Sequence, residues 1–137
     1  MTPGELRDRT KGFALTVAGT LGKTADMPDG HCRHAAGQVI RSSAAVAANY
    51  RAAGLARSLA EFTAKLGVVV EEADETVFWL EYLKESNATP NPGLDALLNE
   101  ARQLVRIFMA SRRTALRHRD AQRIARQKPT DTDEPPR

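Results

Sequence analysis

A length of 137 residues with 42% hydrophobic residues sets one domain with a single core, and one cysteine excludes an intramolecular disulfide framework. Aromatic residues make up only 5% and alanine recurs through the middle of the chain, a mixture that favours close-packed helices over a sheet. The net charge of +3 hides a segregation: residues 1–101 hold ten Lys or Arg against thirteen acids, residues 102–128 hold nine against one, and residues 129–137 hold one against three. The N-terminus, MTPGELRDRTKGF, lacks the basic start and apolar run of a signal peptide, and no apolar stretch approaches the roughly 20 residues that span a bilayer. These features predict a soluble, cytoplasmic protein with no membrane partner.

The first helix is predicted over 3–23. Thr2 is its cap, Pro3 its first position and Glu5 its third, and Leu6, Phe13, Val17 and Leu21 form its apolar stripe. Gly12 and Gly19 weaken it and leave room for a close neighbour. After the break ADMPDG, with Asp29 as cap, a second helix is predicted over 31–53. Its stripe of Cys32, Ala35, Val39, Ser43, Val46 and Tyr50 is mostly small, which lets another helix approach and argues for a central position. Gly54 is the expected C′ residue.

Ser58 and Glu61 read as a capping box that opens a third helix over 58–86, some 28 residues or about 42 Å long. Leu59, Phe62, Leu66, Val69, Ala73, Val77, Leu80 and Leu83 recur three and four apart, a seam of the kind found in bundles. SNATPNPG ends it, and Asn91 and Pro92 open a fourth helix over 92–126. That helix carries one stripe of Leu94, Leu97, Ala101, Leu104, Phe108, Ser111 and Ala115, and a second of Leu98, Val105, Met109 and Leu116. Residues 129–137, PTDTDEPPR, are expected to be a disordered polar tail beyond a bundle that fills 1–128. No strand pattern, repeat or Gly-rich phosphate loop competes. The fold class that follows is all-α, an antiparallel up-and-down four-helix bundle.

Arg41, Ser42, Ser43 and Asn49 in the second helix, the basic turn at Arg57, Ser58, Glu61 and Phe62 opening the third, and Glu75, Trp79 and Leu80 further along it form a recognisable pattern. On these residues the chain resembles the four-helix-bundle proteins related to ribosomal-RNA intervening-sequence proteins and to the retroelement accessory (variability determinant) proteins. The detailed likeness covers about fifty residues within 31–83. The NxAEG of the family is NYRAAG here, with Ala52 and Ala53 at its last Ala and Glu positions, so any role of that Glu is absent. The resemblance implies a homo-oligomeric ring, a homopentamer, that binds nucleic acid without catalysis. A reverse transcriptase is the implied partner where such a protein accompanies a retroelement. No catalytic residue and no cofactor is implied.

The basic segment is the corresponding candidate site. Arg102, Arg106, Arg113, Arg117 and Arg123 are spaced to share one broad face, while Arg112, Arg119, Arg126 and Lys128 fall on others. Arginine predominates over lysine, which suits bidentate phosphate contacts. No aromatic residue follows Met109 to stack on a base, which argues for backbone contacts. The plainer reading is a solvated helix end that complements the helix dipole and the acidic third helix. The alternative function is a protein–protein scaffold whose basic helix pairs with acidic surfaces.

Glu71, Glu72, Asp74, Glu75, Glu81 and Glu85 read as a solvated face or a partner for arginine rather than an acid–base pair. No Glu has a His three residues later, as di-iron bundles require. His31, Cys32 and His34 offer metal ligands with only distant His118 to add, so no metal is expected. Asn49, beside Tyr50, is expected to fix register or bond to a facing backbone group. Trp79 is read as a core or subunit-interface anchor.

Overall fold

The computed structural model describes residues 1–24, 27–86 and 91–127, and these form four helices: α1 (Pro3–Leu21), α2 (Gly30–Ala53), α3 (Leu59–Ser86) and α4 (Pro92–Gln127). No strand occurs among the described residues. The helices lie within two residues of their expected bounds; the largest difference is at α1, which ends at Leu21 rather than residue 23. The expected tail, residues 129–137, lies outside the described residues, as do Lys128 and parts of the two interhelical breaks.

Local chemistry sets the helix starts. At α1 the Thr2 hydroxyl accepts from Glu5 N–H at 3.1 Å and the Glu5 carboxylate accepts from Thr2 N–H at 2.8 Å, a complete capping box. At α3 the Ser58 hydroxyl accepts from Glu61 N–H at 3.1 Å, but the Glu61 carboxylate turns to Arg57, 3.7 Å away, so only half of the expected box forms. Asn91 Oδ1 accepts from Leu94 N–H at 3.2 Å and caps α4. Asp29 stands at the N-cap of α2 without a side-chain cap bond. Gly54 departs from expectation: its φ of −64° keeps it right-handed, and its N–H closes the last turn onto Tyr50 O at 3.2 Å. A left-handed glycine therefore does not end α2.

The predicted stripes become the core. Phe13, Val17, Val39, Val46, Leu66, Val69, Leu80, Leu104 and Phe108 are buried among the four helices. Met109, placed on the second stripe of the fourth helix, is instead half exposed, while Val105 and Leu116 of that stripe are partly buried. Each helix packs on its chain neighbours, α2 on α3 most extensively, and α4 closes more lightly on α1. The result is a four-helix bundle, with the small-residue face of α2 at its tightest seam. No described helix is long and apolar enough to cross a membrane.

Five hydroxyl residues, Thr10, Ser42, Ser43, Thr63 and Thr76, are also buried. They are tolerated because their own helices satisfy them: Thr10 donates to Arg7 O at 2.9 Å, Thr63 to Leu59 O at 2.7 Å and Thr76 to Glu72 O at 2.8 Å. Polar contacts also link the helices. Cys32 Sγ lies 3.9 Å from Ser86 Oγ, and the Ser42 and Thr76 hydroxyls are 2.7 Å apart. Arg102 reaches Glu81 at 3.3 Å and Lys84 reaches Asp95 at 3.1 Å, while Arg9 grips Glu100 with two nitrogens and Gln103 with one. Hydrogen bonding to Glu100 holds the Arg9 guanidinium above its usual range, against the opposing pull of burial.

Candidate nucleic-acid interface

At 36 residues and 1.5 Å per residue, α4 is about 54 Å long and runs beyond the bundle, where Ala121–Gln127 are exposed on every side. Arginine, alanine and glutamine in this overhang are good helix formers, which keeps it helical without a partner. The arginines do not act as one patch. Arg106, Arg113 and Arg117 are exposed and, among the described residues, have no carboxylate within ion-pair distance. They span eleven residues, so the row is about 17 Å long. Arg102, expected with them, is tied to Glu81. Arg112 is half-buried. Its guanidinium lies over Gly67 of α3, where a Cβ would come within 3.2 Å of Nε, and that Nε is buried without a protein partner.

Arg123 does not join the outward row. One turn and two turns past Arg119, helical geometry carries Arg123 and Arg126 back toward the start of α3. There Arg119, Arg123 and Arg126 line a cavity of about 630 Å³ with Arg57 and Ser58. Arg57, in the connection between α2 and α3, was not among the residues expected at the interface. Its signal in the sequence was only its place in a basic turn, and the length of α4 is what brings it opposite the last arginines. A second, more apolar cavity of about 740 Å³ shares Ser58, Leu59 and Gln122 with the first and also touches Tyr50, Phe62 and His118. Lys128 lies outside the described residues.

Half of the acidic run of α3 is paired within the chain: Glu72, Glu75 and Glu81. Arg41 of α2 meets Glu75 at 2.6 Å and Glu72 at 3.4 Å, and the bond to Glu75 holds its guanidinium above the usual range. Glu75 therefore pairs with α2 rather than with α4. Among the described residues Glu71, Asp74 and Glu85 form no ion pair and stay exposed.

Beside them α3 carries an aromatic group that the stripe analysis missed. Trp79 is half-buried and meets Phe78, Tyr82 and His34 edge-on at 4.9, 5.5 and 5.3 Å between ring centroids. Phe78 is 55% exposed. Its position off the seam was the available signal, since an aromatic residue pointing away from the core is exposed.

Asn49 does not bond across the seam. Its Nδ2 donates to Ala45 O of the same helix at 2.8 Å. Tyr50 packs against Phe108 at 5.1 Å between centroids, and burial pushes its phenol above the usual range while Arg7 pulls the other way. Phe62 packs at the edge of the core. Asp29, His31 and Cys32 place one ligand atom each within 4.8 Å of one another. Three donors are one short of a closed zinc site; His34 turns away to Trp79, and His118 lies beside Tyr50 at the far end of α2.

Fold and surface together define a four-helix bundle with an overhanging arginine helix. No protein-family model matches the sequence, and no curated protein matches it. Among solved structures, a protein of unknown function from the S23 ribosomal protein family of Bacteroides thetaiotaomicron is similar, with a TM-score of 0.69 and 22% identity over 82% of this chain and 99% of that one. That likeness establishes the fold shared by the two chains.

Proposed function

We propose that this chain is a non-catalytic, nucleic-acid-binding bundle that works as a homo-oligomeric ring, a pentamer, in the cytoplasm. On this reading it is related to the ribosomal-RNA intervening-sequence and variability determinant proteins and serves as an accessory to a retroelement or its reverse transcriptase. The observation that carries the reading is the outward row of Arg106, Arg113 and Arg117, free of carboxylate partners among the described residues. Partnerless guanidiniums spaced along one face are a footprint for a phosphate backbone. A ring would repeat the row in every subunit and multiply weak contacts. The S23 ribosomal protein family of the structural neighbour is in keeping with an RNA partner.

An antiparallel, up-and-down course is part of the same proposal. It is supported by the pairing of rising with falling residue numbers: Cys32 with Ser86 and Ser42 with Thr76, Glu81 with Arg102 and Lys84 with Asp95.

A protein–protein scaffold whose basic helix pairs with an acidic partner is the second reading, and the same row of Arg106, Arg113 and Arg117, without carboxylate partners among the described residues, would serve it. One experiment separates the two. The full chain is incubated with labelled RNA and DNA at low salt and assayed by filter binding, before and after nuclease. Retention of the label that nuclease abolishes, and that weakens when Arg106, Arg113 and Arg117 are replaced by Ala, supports the first reading. No retention of either polymer, with an acidic protein co-purifying after nuclease, sinks it in favour of the second.

A further inference from the structure

We propose that the arginine-lined cavity between the overhang of α4 and the start of α3 is a phosphate seat, where the backbone of a nucleic-acid strand is anchored. This inference rests on the nucleic-acid reading and names the point at which the strand is held. Two elements far apart in sequence assemble the cavity. Arg57 comes from the α2–α3 connection, and Arg119, Arg123 and Arg126 come from one side of α4.

Four arginines thus line about 630 Å³ of space, with Ser58, Gln122 and Gln127 as neutral polar lining. Two of the four have a carboxylate partner in a loose ion pair: Glu61 is 3.7 Å from Arg57, and Asp120 is 3.7 Å from Arg119. Arg123 and Arg126 have no carboxylate within ion-pair distance among the described residues.

Like charges lining one cavity repel, and Arg123 and Arg126 are exposed rather than part of the core. An oxyanion in the cavity accepts hydrogen bonds from the exposed guanidinium forks and offsets their mutual repulsion.

The volume falls in the range of small-molecule sites, about 300–1,000 Å³, so it admits a phosphate with its sugar and a neighbouring phosphate rather than a lone ion. No aromatic side chain lines the cavity, so nothing stacks on a base. The seat therefore grips backbone without reading sequence, and the outward row of α4 holds the strand further along.

The test compares two charge-matched variants of the full chain. One carries Arg57→Gln, Arg123→Gln and Arg126→Gln at the cavity; the other carries Arg106→Gln, Arg113→Gln and Arg117→Gln on the outward row. All six side chains are exposed, and circular dichroism confirms that both variants fold. Affinity for a single-stranded oligouridylate and for an oligonucleotide of mixed sequence is read by fluorescence anisotropy. The cavity variant is expected to lose about tenfold more affinity than the outward variant, equally for both oligonucleotides. Equal losses in the two variants, or unchanged binding by the cavity variant while the outward variant weakens, overturn the seat and leave nucleic-acid binding standing. If the unaltered chain binds neither oligonucleotide, the underlying reading falls and the seat with it.

Discussion

Ser42 and Thr76 face each other across the α2–α3 seam, both buried, with their hydroxyl oxygens 2.7 Å apart. Each hydroxyl has one proton. Thr76 has a well-placed acceptor in Glu72 O at 2.8 Å, whereas the alternative acceptor for Ser42, Val39 O, is 3.4 Å away. Thr76 is the donor, to Ser42 Oγ at 2.7 Å or to Glu72 O at 2.8 Å, and Ser42 Oγ accepts across the seam. Thr76→Val leaves the buried Ser42 hydroxyl with only the 3.4 Å contact to Val39 O and is expected to cost about 1–3 kcal/mol, while Ser42→Ala leaves Thr76 its bond to Glu72 O and costs about 1 kcal/mol or less. The double variant should cost less than the two single losses together, because both partners of one bond leave at once. Urea denaturation midpoints measure all three, and a Thr76→Val variant as stable as Ser42→Ala would mean that the bond across the seam adds no stability. This pair was not legible in the sequence. A buried hydroxyl reads as polar until the carbonyl one turn back is seen to satisfy it, and Thr63 and Thr10 were hidden in the same way.

Helix starts and apolar seams were legible because each depends on a few residues close in sequence. Thr2 with Glu5, Ser58 with Glu61 N–H and Asn91 with Leu94 N–H are contacts over three residues, and Leu6, Phe13, Val17 and Leu21 need only the helical period to share a face. What depended on a second element was less legible. Gly12 and Gly19 were expected to admit a close neighbour, yet a Cβ at either would find nothing within 4 Å, and both are exposed. Glycines that do accommodate another helix are Gly67, beneath the Arg112 guanidinium, and Gly93, where a Cβ would lie 3.5 Å from Thr20 Cγ2. At Gly12 and Gly19 the backbone is helical and the space open, so the cost of glycine is uncompensated. Gly12→Ala and Gly19→Ala should each stabilise the fold by about 0.5–1 kcal/mol through helix propensity and a less disordered unfolded chain. The check is a rise in the urea midpoint with an unchanged slope. A loss of stability at either position would mean that another surface packs against α1.

Charge is segregated along the chain more sharply than it is across the folded surface. The sequence showed nine basic residues between 102 and 128 but not their division, because the helical period alone cannot say where the bundle stops. The fold makes that division: Arg102 is spent on Glu81, Arg112 lies half-buried over Gly67, and Arg119, Arg123 and Arg126 turn toward Arg57. Arg106, Arg113 and Arg117 remain as an outward row. A polyanion lying on that row releases condensed counterions as its phosphates are neutralised, so log K falls linearly with log salt, by about 0.7 per phosphate for a single strand. Replacing Arg106, Arg113 and Arg117 with Gln should therefore shallow the slope by about 2, with the residual slope supplied by the arginines around the cavity. Fluorescence anisotropy titrations of a labelled single strand across a series of salt concentrations measure this. A weaker affinity at an unchanged slope would mean that the row acts through conformation rather than through phosphate contacts. A slope near zero in the unaltered chain would remove the polyanion altogether and return the row to the role of a solvated helix face.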